Sequence, residues 1–482
     1  MLFRGNESVI GSDARDAVQL AYYRDPETGQ EGPPIRIAGT ESGILLGRNR
    51  SGKDTAVGMV LGLQMMGRSL VWIDPRGEGA AVTAPYRRTL GPVYVLNRHR
   101  VLLPRSRSYV PGYEDLESDG WDPIAGMRDP NDPAVFAEAA AMAEAEIKFE
   151  SGGNAEHFTR RMRGLWLGLN LGEVYDAAHS VPPRAPSYAN LRDALTERSE
   201  FDPKTGEPTR GLALRAKRLS ATAGRQVQSL LDNYAGALDD EIRSVIATGE
   251  GHTQRLLDQF VADDMAKNGI DLTELGDRPS TLYVITPPEM AHESSMYSND
   301  LRLLVSSALR SLYRPTNTIC TFYINEFAAL GRLGAIDANL GLVAGYGIQL
   351  ILVLQSLTTL KQHYQDGWEN YLGQAGWIAL VGPPGDDFTA SYLAEKRTGQ
   401  TTFIQPHAGT SMNASGAGFS AGDAYARRPY LMPQDLFNLK PGSGHGFVWV
   451  PGLADPIPAL FKPFFSDPLL ARRARANPYY RG

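Results

Sequence analysis

The chain has 482 residues, 42% of them hydrophobic and 21% charged, which is ordinary globular composition spread over roughly two to four domains' worth of length. Its formal net charge of −6 argues against a surface that binds nucleic acid over its whole extent, and leaves room only for a locally basic channel. The single cysteine, Cys320, excludes an internal disulfide and fits a reducing cytoplasm.

The opening segment, MLFRGNESVIGSDARD, lacks the apolar core of a signal peptide. The longest apolar runs, such as IQLILVLQ, are strand-sized, well short of the ~20 residues a spanning helix needs. The expectation is a cytoplasmic chain with no transmembrane segment. GILLG (43–47) then reads as a strand, GRNRSGKDT (47–55) as a glycine loop, and DTAVGMVLGLQMMG as the helix after it. SLVWID (69–74) and VYVLN (93–97) are further strands. From Asn131 to about residue 263 helical signals dominate. NDPAVFAEAAAMAEAEIKFE offers Asp132 as N-cap and Pro133 in the first turn, and SYANLRDALTE offers Ser187 as a cap. Trp166, in GLWLGLNLG, is expected in the core.

Strands return after residue 279: TLYVIT (281–286), CTFYIN (320–325, with Cys320 in the core), IQLILVLQ (348–355), GWIALVG (376–382) and GFVWV (446–450). Such near-continuous apolar runs suit strands covered on both faces. HAGTSMNASGAGFSAGDAYA (407–426) is poor in large apolar side chains and reads as a loop. The prediction is an α/β fold with a mainly parallel sheet, split by an inserted helical domain. Its boundaries are an N-terminal segment 1–39, a nucleotide-binding part 40–128, the all-α insertion 129–262, a second nucleotide-binding part 263–466, and a tail 467–482.

Gly47, Gly52 and Lys53 satisfy the phosphate-loop pattern G-x-x-x-x-G-K-[ST] up to its last position, where Asp54 stands instead of a hydroxyl residue. The strand before and the helix after are the context such a loop requires. Backbone N–H groups and the helix N-terminus favour phosphate, and Lys53 adds a full charge. Arg50, Ser51 and Thr55 complete the candidate nucleotide contacts. A magnesium site needs a polar group at the end of a neighbouring strand, and TFYINEF supplies Asn325 where Asp is expected. Glu326 follows, placed to act as general base on an attacking water. Gln355 ends another strand and is a candidate γ-phosphate sensor or a simple strand terminus. Asp74, in WIDPRGE, is either a further metal-side carboxylate or a turn residue before Pro75. No histidine spacing suggests a structural zinc.

In order, RSGKD, VWIDPRGE, YRRTLGPVYVLN, GWDPI, TLYVITPP, INEFAALGRL, GYGIQLILVLQSLTTLKQHY and RPYLMPQDLFNLKPGSGHGFVWVPG resemble the coupling proteins of type IV secretion and conjugation systems. The likeness spans most of residues 40–465. It implies a RecA-like P-loop motor using ATP and Mg2+, working as a homo-hexamer at the inner membrane with DNA in a central channel. It also implies that the helical insertion receives relaxase–DNA complexes or protein effectors and that other type IV secretion components are partners. Relatives usually begin with transmembrane helices, so membrane attachment here would run through partners. An arginine from a neighbouring subunit would complete the site, with Arg332, Arg397 and Arg428 as candidates.

Asp54 and Asn325 are departures that read as one relocation, a negative charge moved across the metal site, so both are candidate metal ligands. The same departures leave open a nucleotide-binding adaptor with weak or lost hydrolysis. An FtsK-like or HerA-like DNA translocase is the third reading. The basic clusters FTRRMRG (158–164), RAKRLS (215–220) and ARRARA (471–476) are candidates for phosphate contacts or solvated helix faces.

Overall fold

The computed structural model describes residues 17–480 except 150–151, 238, 293, 331–332, 338–339 and 414–415, and only the backbone of 329 and 401–428. Among the described residues the strands are β1 (Val18–Arg24), β2 (Glu31–Ile37), β3 (Gly43–Leu46), β4 (Ser69–Ile73), β5 (Val93–Leu96), β6 (Glu200–Phe201), β7 (Pro208–Arg210), β8 (Thr281–Val284), β9 (Cys320–Ile324), β10 (Ile348–Leu354), β11 (Trp377–Val381), β12 (Gln400–Asn413), β13 (Gly416–Pro429), β14 (His445–Trp449) and β15 (Ile457–Leu460). The chain divides into two compact units. One holds the described residues up to Gly67 with Thr321–Ala328 and Gln349–Arg475, and the other holds Arg68–Cys320, Ala329–Ile348 and the residues after Arg475.

In the first unit the strands run in the order β2-β1-β15-β14-β11-β3-β10-β9. β3 lies parallel to β10 on one side, with Leu46 opposite Leu354, and parallel to β11 on the other, with Leu46 opposite Leu380. Every residue of β3, β10 and β11 is buried, as continuous apolar runs require. Each Leu, Ile or Val so buried contributes about 1.5–3 kcal/mol. The ends of these strands are therefore fixed by a rigid core.

Beyond β11 the sheet turns antiparallel through β14, β15, β1 and β2. The outermost strand, EGPPIRI, carries Pro33 and Pro34, which cannot donate to a further neighbour and so blunt the edge. Residues 407–426, expected as a loop, instead lie in a long antiparallel hairpin, β12–β13, paired from Gln400–Pro429 to Asn413–Gly416. The ladder is made by main-chain groups, which small residues supply as well as large ones. A shortage of apolar side chains is therefore no measure of strand pairing.

In the second unit β4, β8 and β5 form parallel neighbours in that order. Apart from the ribbon β6–β7, the described elements between Pro133 and Lys267 are helices, the longest being Gly153–His179. Asp132 caps the first of them by accepting from Ala134 N, with Pro133 at the first position. Ser187 does not cap the helix Ala189–Thr196. Tyr188 holds the cap position, and the Ser187 hydroxyl bonds Asp122 at 3.0 Å. Trp166 is fully buried and donates to the Tyr188 hydroxyl at 2.9 Å. Cys320 is fully buried as well.

A buried ionic network ties the helices to the strand-end region of this unit. Arg255 is fully buried and pairs with Glu146 and with Asp300. Arg98 pairs with Asp300 and Asp264, each at 2.8 Å. The Tyr188 hydroxyl donates to Glu146 at 2.9 Å, and Asn299 donates to the Glu146 carbonyl oxygen, also at 2.9 Å. The two guanidinium groups hold the Asp300 carboxyl at about 2 against the cost of its burial.

Asp122, in GWDPI, accepts from Tyr188 N, Ile124 N and the Ser187 hydroxyl. Burial nevertheless pushes its pKa up to about 6. A carboxyl that binds its proton more tightly folded than unfolded loses stabilising power as pH rises, here from its ordinary 3.8 to about 6. The unfolding free energy of the wild type minus that of Asp122→Asn is expected to fall by about 2–3 kcal/mol between pH 4 and pH 7. Urea titrations across that range measure it, and a pH-independent difference would remove Asp122 as the titrating group.

Candidate functional site

The glycine loop leaves β3 in the middle of the buried strands of the first unit. The Gly47 N–H donates to the Leu354 carbonyl at 3.1 Å, which ties the start of the loop to the end of β10. A Cβ on Gly47 would lie 2.5 Å from Ser51 Oγ, so only glycine lets the loop close this tightly. Gly52 has φ +89° and Arg50 φ +62°, left-handed conformations that turn the backbone sharply. The following helix begins with a wide π turn at Asp54–Gly58 and continues as Met59–Gln64. The Thr55 hydroxyl points back to Gly52 O at 3.0 Å.

Lys53 is buried, and its Nζ stands 3.6 Å from Glu326 Oε1. The other oxygen of Glu326 accepts from Gln355 Nε2 at 2.8 Å. Three residues far apart in sequence therefore converge: the loop lysine, the first acid past β9, and the glutamine past β10. Glu326 has φ +53°, an unfavourable backbone for a residue with a Cβ. Such strain persists where the surroundings enforce it, and here it turns the carboxylate toward Lys53.

Asn325 is buried beside it, and its Oδ1 has no hydrogen-bond partner. Ser51 Oγ is likewise buried and unsatisfied. Burying a polar atom without a partner costs about 1–3 kcal/mol. Two such atoms, one in the glycine loop and one just past β9, are unused bonding capacity, of the kind that phosphate oxygens and a hard cation would take up. Asp54 lies in the first helical turn, partly buried, with Oδ1 3.4 Å from the Tyr323 hydroxyl. The ammonium of Lys53, the carboxylate of Asp54 and the unsatisfied oxygens of Ser51 and Asn325 are of the chemical kinds that a nucleotide with its magnesium takes as partners.

Sequence reasoning missed Tyr323, which stands in β9 two residues before Asn325 and meets Asp54 through its hydroxyl. Asp74, in the second unit, is engaged in its own turn. Its Oδ2 accepts from Ala80 N at 2.9 Å at the start of the helix Glu78–Arg87. Among the arginine candidates, Arg397 lies 5.7 Å from the Tyr392 ring, while Arg332 and the Arg428 side chain lie outside the described residues.

The basic clusters of the helical region are largely neutralised within the chain. Arg160 pairs with Glu156, Arg161 with Glu241, Arg215 with Glu173, Lys217 with Glu207, and Arg218 with both oxygens of Asp176. Arg473 donates to the Leu63 carbonyl. To meet DNA phosphates these side chains would first have to leave their carboxylate partners. Among the described residues no group of three or more His, Cys, Asp or Glu side chains is arranged to hold a metal. No helix among them is long and apolar enough to cross a membrane.

A parallel-stranded core with a glycine loop, a buried lysine and an acid at the next strand ends defines a P-loop fold of the RecA-like kind. The family model for type IV secretory system conjugative DNA transfer matches residues 12–443, and the chain belongs to that family, the type IV coupling proteins. The conjugal transfer protein TraG of Escherichia coli is 24% identical over 486 residues, covering 91% of this chain and 70% of TraG. The bacterial conjugative coupling protein TrwBdeltaN70 in its unbound form shares the fold with a TM-score of 0.62 at 15% identity, over 94% of this chain and 89% of that one. TrwB in complex with ADP and Mg2+ has a TM-score of 0.58 at 14% identity, over 94% and 96% of the two chains.

Proposed function

We propose that this coupling protein binds MgATP in the loop Gly47–Thr55 and hydrolyses it to drive transfer of relaxase–DNA complexes or protein effectors. The observation that carries the reading is the convergence of Lys53, Glu326 and Gln355 beside two unsatisfied buried oxygens. Gly47, Arg50, Ser51, Gly52 and Thr55 shape the phosphate cradle, and Lys53 supplies its charge. Asp54 and Asn325 are the residues that would hold the metal, which when bound would neutralise phosphate charge in the transition state. Glu326 takes the proton of the attacking water, and Gln355 holds Glu326 in place. The solved complex of TrwB with ADP and Mg2+, on the same fold, supports the choice of ligand.

The helical residues 129–262, between the nucleotide-binding parts 40–128 and 263–466, are the substrate-facing domain in this reading. A homo-hexamer around a DNA channel, held at the inner membrane by other secretion components, belongs to the same reading. Single-stranded DNA is expected to stimulate ATP turnover. Turnover indifferent to DNA would favour protein cargo, and stimulation by duplex DNA alone would favour an FtsK-like or HerA-like translocase.

Asn325 favours a second reading, an adaptor that binds nucleotide without turning it over, because an amide offers the metal no charge. Asp54 bears on that choice. If its carboxylate replaces the missing one, Asp54→Ala should weaken Mg-nucleotide binding by about tenfold, the cost of one charged metal contact. Calorimetric titration measures it. Unchanged or tighter binding would overturn the relocation of the charge to Asp54, and the adaptor reading would gain.

A further inference from the structure

We infer that Tyr323 is a positioning residue that holds the Asp54 carboxylate on the cation side of the nucleotide site. The inference rests on the nucleotide-binding reading above. Side chains alternate along β9, so Thr321 and Tyr323 share a face while Phe322 and Ile324 share the other, and Asn325 follows in the turn past the strand. The contact of Tyr323 with Asp54 shows which way that face looks: toward the first turn of the helix after the glycine loop. Asn325, two residues on, has an Oδ1 that is buried and unsatisfied. Tyr323 itself is fully buried in the strand, so its hydroxyl is delivered from a rigid element.

The chemistry follows from charge. Asn325 carries no charge where the pattern calls for an acid, and Asp54 carries one where it calls for a hydroxyl. The helix N-terminus favours a carboxylate at position 54. Left to rotate, that carboxylate would also face the phosphates and repel them. A phenol donating to one of its oxygens limits the rotation. The pair Tyr323–Asp54 thus does with two residues what one strand-end aspartate does elsewhere. Nucleotide affinity should depend steeply on divalent cation, because without it the carboxylate opposes binding.

The test is equilibrium binding of a fluorescent ATP analogue to the full chain, in EDTA and in saturating Mg2+. The wild type is expected to bind much more tightly with Mg2+. Tyr323→Phe should lower that ratio about fivefold to tenfold, the net effect of one ordinary hydrogen bond, since the contact is long at 3.4 Å. Its affinity in EDTA should not weaken. In an Asp54→Ser background the Tyr323→Phe change should move the ratio by less than about twofold, since the partner is gone. A ratio unchanged in Tyr323→Phe overturns the inference alone. An equal loss in both backgrounds also overturns it, because that is the mark of a general packing effect. A wild type that binds no nucleotide in either condition overturns the nucleotide-binding reading, and the inference with it.

Discussion

Glu326→Gln is expected to reduce ATP turnover by about 10²–10⁴-fold, the range for removal of a general base, while tightening nucleotide binding. The amide keeps the size of the side chain and still accepts from Gln355, so the local geometry survives. It cannot take a proton from water. It also no longer pairs with Lys53, which stands 3.6 Å from Glu326 Oε1 and must exchange that partner for phosphate when nucleotide arrives. Removing the competing charge leaves the ammonium free for the incoming ligand. Phosphate release and fluorescent-nucleotide titration measure the two effects separately. Undiminished turnover would take Glu326 out of the chemistry, and weaker binding would contradict the competition for Lys53.

The second large effect is expected in the other unit. Arg255→Ala should destabilise it by about 3–5 kcal/mol, because Glu146 would remain buried without its cation and Asp300 would keep only Arg98. For a unit of this size that lowers the melting temperature by on the order of 10 °C. The pair Arg255→Met with Glu146→Leu should cost clearly less, since replacing both partners leaves fewer unpaired charges. Calorimetry on the single and double variants distinguishes the two cases. If the double variant were the less stable, the network would owe its effect to something other than charge compensation. Glu146 ends the helix Pro133–Glu146, Arg255 lies between the helices Asp240–His252 and Gln259–Lys267, and Asp300 sits in the helix Ser298–Ser311. The network therefore fixes how the helices stand on the strand-end region of their own unit.

Much of the nucleotide site was legible because its parts sit at the ends of buried parallel strands. GILLG, CTFYIN and IQLILVLQ are continuous apolar runs, and each is followed by polar residues that carry the chemistry. The positive φ of Glu326 left no mark in the sequence, since nothing but the surrounding fold enforces it. Tyr323 was hidden for another reason: an aromatic residue in an apolar strand reads as core until its hydroxyl meets a partner. The hairpin β12–β13 was hidden by its composition, because main-chain pairing needs no apolar side chains. Strand β2 was masked by its two prolines, which suit an edge and no other place. The ionic network joins residues as distant as Arg98, Glu146, Arg255 and Asp300, and pairing over such separations has no local signature. Ser187 was a sound cap candidate by residue type, but Asp122 took its hydroxyl instead.

The central claim is that this loop and its strand-end acid form a working nucleotide motor. The most direct measurement is steady-state ATP turnover by the full chain with Mg2+ and single-stranded DNA, comparing the wild type with Lys53→Ala. The account predicts DNA-stimulated turnover in the wild type and a loss of about a hundredfold or more in the variant, the scale for removing a charge that acts on the transferring phosphate. Nucleotide binding by the wild type with no turnover above the Lys53→Ala level, with or without DNA, would contradict it.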